Sequence, residues 1–307
     1  MSDRLTAIQS SQSAVLRKAG LFTDFQLWPT RDKMDPQGWL GNFTEEELPY
    51  AVVLLDSFLF YSESLVGGLF LSAVQAISAE VTEEATSIGP AQALWSGFLA
   101  RLRVTLVEGE TPNPTDSGHL FARMARQVLE IDQSRIVGPA EALAEVRRDP
   151  SLVVLFVDDF VGSGNQMAGT WNRRYVSNGS GEASFAQLAG SGSGTFYYVP
   201  VVATTVGMKM LSATCTSLRV RPAHILDEAY SLTHPECFLW PESLRPTARD
   251  VLHEASKRAG ITDGYEYGWE GFHSLALPLG FWHCVPDATL PLFFWDEGSW
   301  VPLLRRA

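Results

Sequence analysis

Residues 151–157 read SLVVLFV, seven positions without a charge and rich in Val and Leu. β-branched side chains favour a pleated backbone, and a run with no polar alternation offers no face to water. It predicts a central strand of a parallel sheet with helices on both sides. Further apolar runs at 196–202, 220–226 and 275–279 are strand candidates, as is the alternating 101–108. Helical patterns lie between them, at 119–131, 139–147, 206–213 and 247–259. Strand and helix in alternation imply a doubly wound, mainly parallel α/β sheet. The 307 residues, 46% hydrophobic and 19% charged, suffice for a core of that kind.

The front of the chain has a different texture. Residues 1–100 read as a mainly helical N-terminal region packed on an α/β domain at 101–307. The most hydrophobic stretch, 48–77, is long enough to raise the question of a membrane span. Asp56 and Glu63 lie inside it and would be costly in hydrocarbon. Thr44 and Glu47 carry the spacing of a capping box, which opens a helix at an ordinary aqueous boundary. The expectation is a buried helical hairpin weakened at Gly67-Gly68, with no membrane association. The first eighteen residues lack the apolar core of a signal peptide, and the three cysteines are too scattered for a disulfide framework. Both point to the cytoplasm. The Gly/Ser-rich stretch 178–194 reads as a mobile surface loop.

Chemistry concentrates just after the first apolar run, in VVLFVDDFVGSGNQM at 153–167. Ligands of open α/β sheets bind beyond the carboxyl ends of the strands, where Asp158 and Asp159 emerge. Adjacent carboxylates repel each other and need hydroxyls, a cation or a metal to stay charged together. The turn that follows, Gly162, Ser163, Gly164, Asn165 and Gln166, leaves backbone N–H groups uncovered at a helix start, a natural anion site. Acids beside an anion cradle suit a ribose 5′-phosphate: carboxylates on the hydroxyls, N–H groups on the phosphate. A receiver-like acidic pocket for Mg²⁺ and a phosphoacceptor is the competing reading of the same acids.

The segment resembles the phosphoribosyl pyrophosphate (PRPP) signature of type I phosphoribosyltransferases: an apolar strand, paired acids, two apolar residues and a Thr/Gly-rich loop. More widely, WLGNF at 39–43 and TLPLFFWDEGSWVPLLRR at 289–306 are similar to the phosphoribosyltransferase-like PRTase-CE proteins of bacterial conflict and anti-phage systems, some retrons included. The resemblance implies a type I phosphoribosyltransferase fold with a helical extension. It assigns Asp158 and Asp159 to the ribose and Gly162, Ser163, Gly164, Asn165 and Gln166 to the 5′-phosphate. It also implies Mg²⁺ bridging sugar and pyrophosphate, with protein partners from a defence system. The chain departs from the signature where Gly162, Asn165 and Gln166 stand in place of Thr, Gly and Thr, leaving Ser163 as the turn's only hydroxyl. A catalytic transferase and an inactive nucleotide sensor or scaffold therefore both fit, and no catalytic residue is assigned.

Other features are weaker. His224, Asp227 and Glu228 follow a strand candidate and sit where a base, pyrophosphate or metal would approach, although a solvated strand end is the commoner outcome. His234 with Cys237 and His283 with Cys284 lack the paired spacing of structural zinc, so no metal ligand is assigned. Gly190 to Gly194 has no Lys-Ser/Thr after it, and no Gly-x-Ser-x-Gly elbow is present. The aromatic cluster of Phe281, Trp282, Phe293, Phe294, Trp295 and Trp300 reads as core or protein interface. A formal net charge of −12 argues against broad nucleic-acid binding.

Overall fold

The computed structural model describes residues 2–109, 118–177, 181–262 and 264–306. In chain order the elements are α1 (Ser2–Asp24), α2 (Pro36–Leu40), α3 (Leu48–Ser57), β1 (Leu59–Tyr61), α4 (Glu63–Val81), α5 (Ile88–Arg101), β2 (Leu102–Leu106), α6 (Gly118–Leu129), α7 (Pro139–Arg148) and β3 (Val153–Val161). They continue with α8 (Asn165–Asn172), β4 (Tyr175–Ser177), β5 (Gly181–Ala183), α9 (Phe185–Gly190), β6 (Thr195–Thr204), α10 (Thr205–Thr214), β7 (Leu218–Val220), β8 (His224–Leu226), α11 (Arg245–Ala259) and β9 (Leu279–Phe281). Two compact units result. One is Val66–Leu226; the other combines Met1–Leu65 with Asp227–Ala307. The boundary expected at residue 100 falls in the last turn of α5, inside the first of these.

The Val66–Leu226 unit holds a five-stranded parallel sheet in the order β2-β3-β6-β7, with β8 also paired to β6. Side chains alternate across it. Phe156, Phe196 and Tyr198 join Leu143, Met167, Trp171, Phe185 and Leu211 in one apolar cluster, so α7 to α10 cover that face. Tyr197 points the other way, edge-on to Phe98 of α5 with ring centroids 5.8 Å apart. Its hydroxyl meets Glu80 of α4, which Arg219 and Arg221 also grip. With helices on both faces, the expected doubly wound parallel architecture is observed. Local sequence sets the helix ends: α7 begins on Pro139, whose missing N–H costs nothing there, and carries Arg147 and Arg148 in its last turn.

Pro200 sits in the middle of β6 opposite Asp158, where a missing N–H ought to break the ladder. On the far side of β6, β7 pairs with 196–198 and β8 with 202–204. The proline occupies the interval between those two partners. Arg221-Pro222 divides the outer edge in the same way, so the single strand expected at 220–226 is two short ones.

Three other expectations are corrected. The Gly/Ser-rich stretch is structured: β4 and β5 pair antiparallel, and Ser184 and Gln187 form a reciprocal capping box on α9, which buries Phe185. Residues 178–180 of that stretch lie outside the described residues. Leu275 to Leu279 is not a strand; β9 starts at Leu279, after a one-turn helix at Phe272–Ser274. Residues 48–77 are not a simple hairpin, because β1 separates α3 from α4 and Gly67-Gly68 continue α4 without breaking it. Among the described residues α4 is long and apolar enough to cross a membrane. It buries one face, through Val66, Phe70, Ala73, Val74 and Ile77, and exposes Leu65 and Leu71. The capping of α6 expected from Asp116 or Ser117 lies outside the described residues.

The other unit is built on aromatic packing. Trp39 is fully buried, stacked on Phe293 at 5.4 Å, edge-on to Phe43 at 4.9 Å, with its indole N–H donating to the Leu292 carbonyl at 2.7 Å. The expected C-terminal aromatic cluster supplies Phe293, Phe294, Trp295 and Trp300 to this core. β1 and β9 pair in parallel beside it, and Gly280 lies close against the core: a Cβ would stand 2.5 Å from Leu304 Cδ2 and 3.2 Å from Phe58 Cζ. The Thr44/Glu47 box is present reciprocally just ahead of α3, with Thr44 N–H donating to Glu47 at 2.9 Å and Glu47 N–H to Thr44 Oγ1 at 3.3 Å. Glu47 also pairs with Arg258 of α11, a helix that ends on Gly260 at φ +87°.

Candidate functional site at the end of the middle strands

The two acids lie inside β3 rather than beyond it. The strand expected to stop at Val157 continues to Val161, because β6 runs on alongside and pairs as far as Ala203. Asp158 and Asp159 are only 5% and 7% exposed. Asp158 is held from two sides: the Asp159 N–H donates to its Oδ1 at 3.0 Å, and the Tyr198 hydroxyl donates to its Oδ2 at 2.9 Å. Burial, followed by the neighbouring Asp159 carboxylate, pushes the proton affinity of Asp158 well above the ordinary carboxyl range; the Tyr198 hydrogen bond opposes this without prevailing. Burial beside Asp158 likewise raises the Tyr198 phenol.

This has a pH consequence with a fixed sign. A carboxyl whose proton affinity is higher folded than unfolded leaves stability intact below the ordinary carboxyl pKa, about 3.9, and removes it as pH rises through the folded value. Asp158→Asn abolishes the titration. In metal-free buffer, wild type is expected to lose Tm relative to Asp158→Asn as pH climbs from about 4 towards neutrality, each tenfold gain in proton affinity being worth about 1.4 kcal/mol. Parallel melting curves across that range would rule out a raised Asp158.

Beyond Val161 the chain turns through Gly162, Ser163 and Gly164 into α8. Gly164 caps that helix at φ +85°, a left-handed conformation suited to glycine. Ser163 Oγ accepts from the Asn165 N–H at 3.3 Å. Asn165 and Gln166 are exposed, Gly162 and Ser163 half-buried and Gly164 buried. It is braced from outside by the start of α10. Thr204 donates from Oγ1 to the Gly162 carbonyl at 2.6 Å and accepts from the Gly207 N–H at 2.9 Å. The approach is so close that a Cβ on Gly207 would stand 2.5 Å from the Gly162 carbonyl oxygen.

All the sequence-assigned residues, Asp158, Asp159, Gly162, Ser163, Gly164, Asn165 and Gln166, therefore lie in one strand–turn–helix unit at the carboxyl end of the sheet. His224 opens β8 opposite Val202 on the outer side of β6, and burial lowers its proton affinity. Asp227 serves a local purpose: its side chain caps the one-turn helix Glu228–Tyr230 by accepting from the Ala229 N–H at 3.0 Å. Sequence reasoning missed Tyr198, Thr204 and Gly207. Thr204 with Gly207 three residues later at a strand–helix junction is a visible N-cap pattern; the Tyr198 role follows only from strand register.

Five parallel strands between two helical layers, with an acid pair and a glycine turn at their carboxyl end, define a phosphoribosyltransferase-like α/β protein. The model of the PRTase-CE family matches residues 36–306, nearly the whole sequence, and the chain belongs to that family. A search of curated proteins returns no match.

Proposed function

We propose that this PRTase-CE protein binds PRPP, or a closely related phosphoribosyl nucleotide, together with Mg²⁺ at the β3–α8 turn. The observation that carries this reading is the buried Asp158–Asp159 pair running directly into a glycine turn at a helix start. Asp158, anchored by Tyr198, positions the strand end and the Asp159 backbone. Asp159 takes the ribose hydroxyls. The N–H groups from Gly162 to Gln166 take the 5′-phosphate, as helix starts do for anions. Mg²⁺ prefers hard oxygen donors, and a divalent cation would favour the ionised form of Asp158 against the burial, and next the Asp159 charge, that raise its proton affinity, so Asp158 and Asp159 fit as its protein contacts. Bound there, the metal would offset charge on the pyrophosphate. Family membership supports a cytoplasmic place in a bacterial defence system, acting with protein partners.

Calorimetric titration with PRPP and MgCl₂ tests this. Wild type is expected to bind, and Asp158→Asn/Asp159→Asn to lose at least about tenfold in affinity, or 1.4 kcal/mol. No heat with wild type would reject the reading. A second reading, a catalytically silent sensor or scaffold, is favoured by one detail: the turn carries a single hydroxyl, Ser163, with Gly162, Asn165 and Gln166 at the other positions. Release of pyrophosphate from PRPP with a mixture of bases, abolished by the double substitution, would exclude it.

A further inference from the structure

The unit formed by Met1–Leu65 and Asp227–Ala307 contains a cavity of about 500 Å³, within the range that holds small molecules. Its walls are aromatic. Trp28 is buried, fixed edge-on between Phe22 at 5.4 Å and Phe58 at 6.2 Å, and it faces a lining that includes Phe60 and Trp282. Phe60 belongs to β1, and Trp282 follows β9 with its N–H on the Tyr61 carbonyl at 3.0 Å, so the paired strands hold this wall rigid. The Trp282 indole N–H is buried and has no hydrogen-bond acceptor among the described residues. A buried donor left so keeps its desolvation cost uncompensated, which a ligand acceptor would relieve.

Charge on the lining runs against the rest of the molecule. The chain carries a net −12, yet the cavity is lined by Lys33, Arg305 and Arg306 with Glu63 as its acid. Lys33 and Arg305 are brought together by backbone: Met34 and Leu304 form an antiparallel bridge, and the Arg305 N–H donates to the Lys33 carbonyl at 3.1 Å. Arg306 is engaged by Asp287 and by the Val285 carbonyl. Lys33 and Arg305 make no salt bridge among the described residues; the exposed Asp32 beside Lys33 feels its charge. Two cations held side by side at an aromatic cavity, with no carboxylate bridging them among the described residues, place positive charge beside a ring-sized apolar space.

We infer that this cavity is a second ligand site, which takes a small molecule combining a planar ring with an anionic group: the ring lies against Trp28 and Trp282, and the phosphate or carboxylate meets Lys33 and Arg305. Its lining residues all belong to the unit formed by Met1–Leu65 and Asp227–Ala307, whereas the acid–turn residues belong to Val66–Leu226. Because phosphate and carboxylate share this chemistry, the test uses one probe of each kind, adenosine monophosphate and 1-naphthoate, with adenosine and 1-naphthamide as neutral counterparts. Calorimetry on the full chain is expected to show binding of at least one anion, with its neutral counterpart at least about tenfold weaker. Lys33→Ala/Arg305→Ala, both exposed positions, should weaken that anion at least about tenfold, whereas Asp158→Asn/Asp159→Asn should leave it unchanged. Four results overturn the inference: no binding of either anion up to about 5 mM, equal binding of the neutral counterpart, binding that survives loss of both cations, or binding lost with the two aspartates. Melting curves of the Lys33/Arg305 variant that match wild type keep a loss of binding from being a loss of fold.

Discussion

Trp39→Ala is expected to cost about 3–5 kcal/mol, a large share of the roughly 5–15 kcal/mol that holds a domain folded. The indole is fully buried between Phe293 and Phe43, and its removal opens a void that these anchored rings are poorly placed to fill. Loss of the hydrogen bond is the smaller part. The Leu292 carbonyl that accepts from Trp39 also accepts from the Trp300 indole at 3.1 Å, so it keeps a donor in the variant. Trp39→Phe, which preserves ring contact and loses only that N–H and some volume, is therefore expected to be much milder. Urea unfolding of both variants separates the two contributions. A loss below about 1 kcal/mol for Trp39→Ala would mean the site collapses freely, and the aromatic core is less rigid than its geometry implies.

The central strand was legible because period and composition agreed at residues 151–157, where no charge interrupts a Val/Leu run. Its true end was not. Asp158 and Asp159 look like exit residues in sequence, since charges rarely continue a buried strand. Only the pairing with β6, and the Tyr198 hydroxyl one position from Val199, explains how a carboxyl stays at 5% exposure there. Cross-strand partners forty residues away leave no local trace. The same limit explains the outer edge: the 220–226 run is apolar enough for a strand, and only the proline in its middle, read together with Pro200, reveals the gap. The Gly/Ser stretch misled for the opposite reason. Composition implied a mobile surface loop, but Ser184, Phe185 and Gln187 carried a capping box and a core anchor inside it.

The candidate site divides in the same way. The acids and the turn were readable as one segment. The parts that hold them in place came from elsewhere in the chain: Tyr198 from β6, and Thr204 and Gly207 from the junction with α10. Geometry is supplied by residues without ligand chemistry of their own, which is why a motif search finds the candidate residues and misses the support.

Gly207→Ala tests that support most directly, because two known effects oppose each other there. Replacing glycine by alanine in a helix normally gains up to about 1 kcal/mol. At Gly207 the new Cβ would stand 2.5 Å from the Gly162 carbonyl oxygen and 2.7 Å from Val161 Cγ1. The first is backbone and cannot rotate away, so the turn itself must move, and overpacking of this kind costs about 1–3 kcal/mol. The net effect is destabilising. Movement of Gly162 also disturbs the hydrogen bond it accepts from Thr204 and the aim of the N–H groups that follow, so affinity for PRPP with Mg²⁺ is expected to fall at least about tenfold. Gly169→Ala in α8 is the matched control: its Cβ meets nothing within 4 Å, and the exposed helical position should gain rather than lose stability. Thermal melts and calorimetry on the two variants separate packing from binding. A Gly207→Ala protein as stable as wild type would refute the close packing of α10 on the turn, while one that is destabilised yet binds PRPP undiminished would remove the turn from the ligand site.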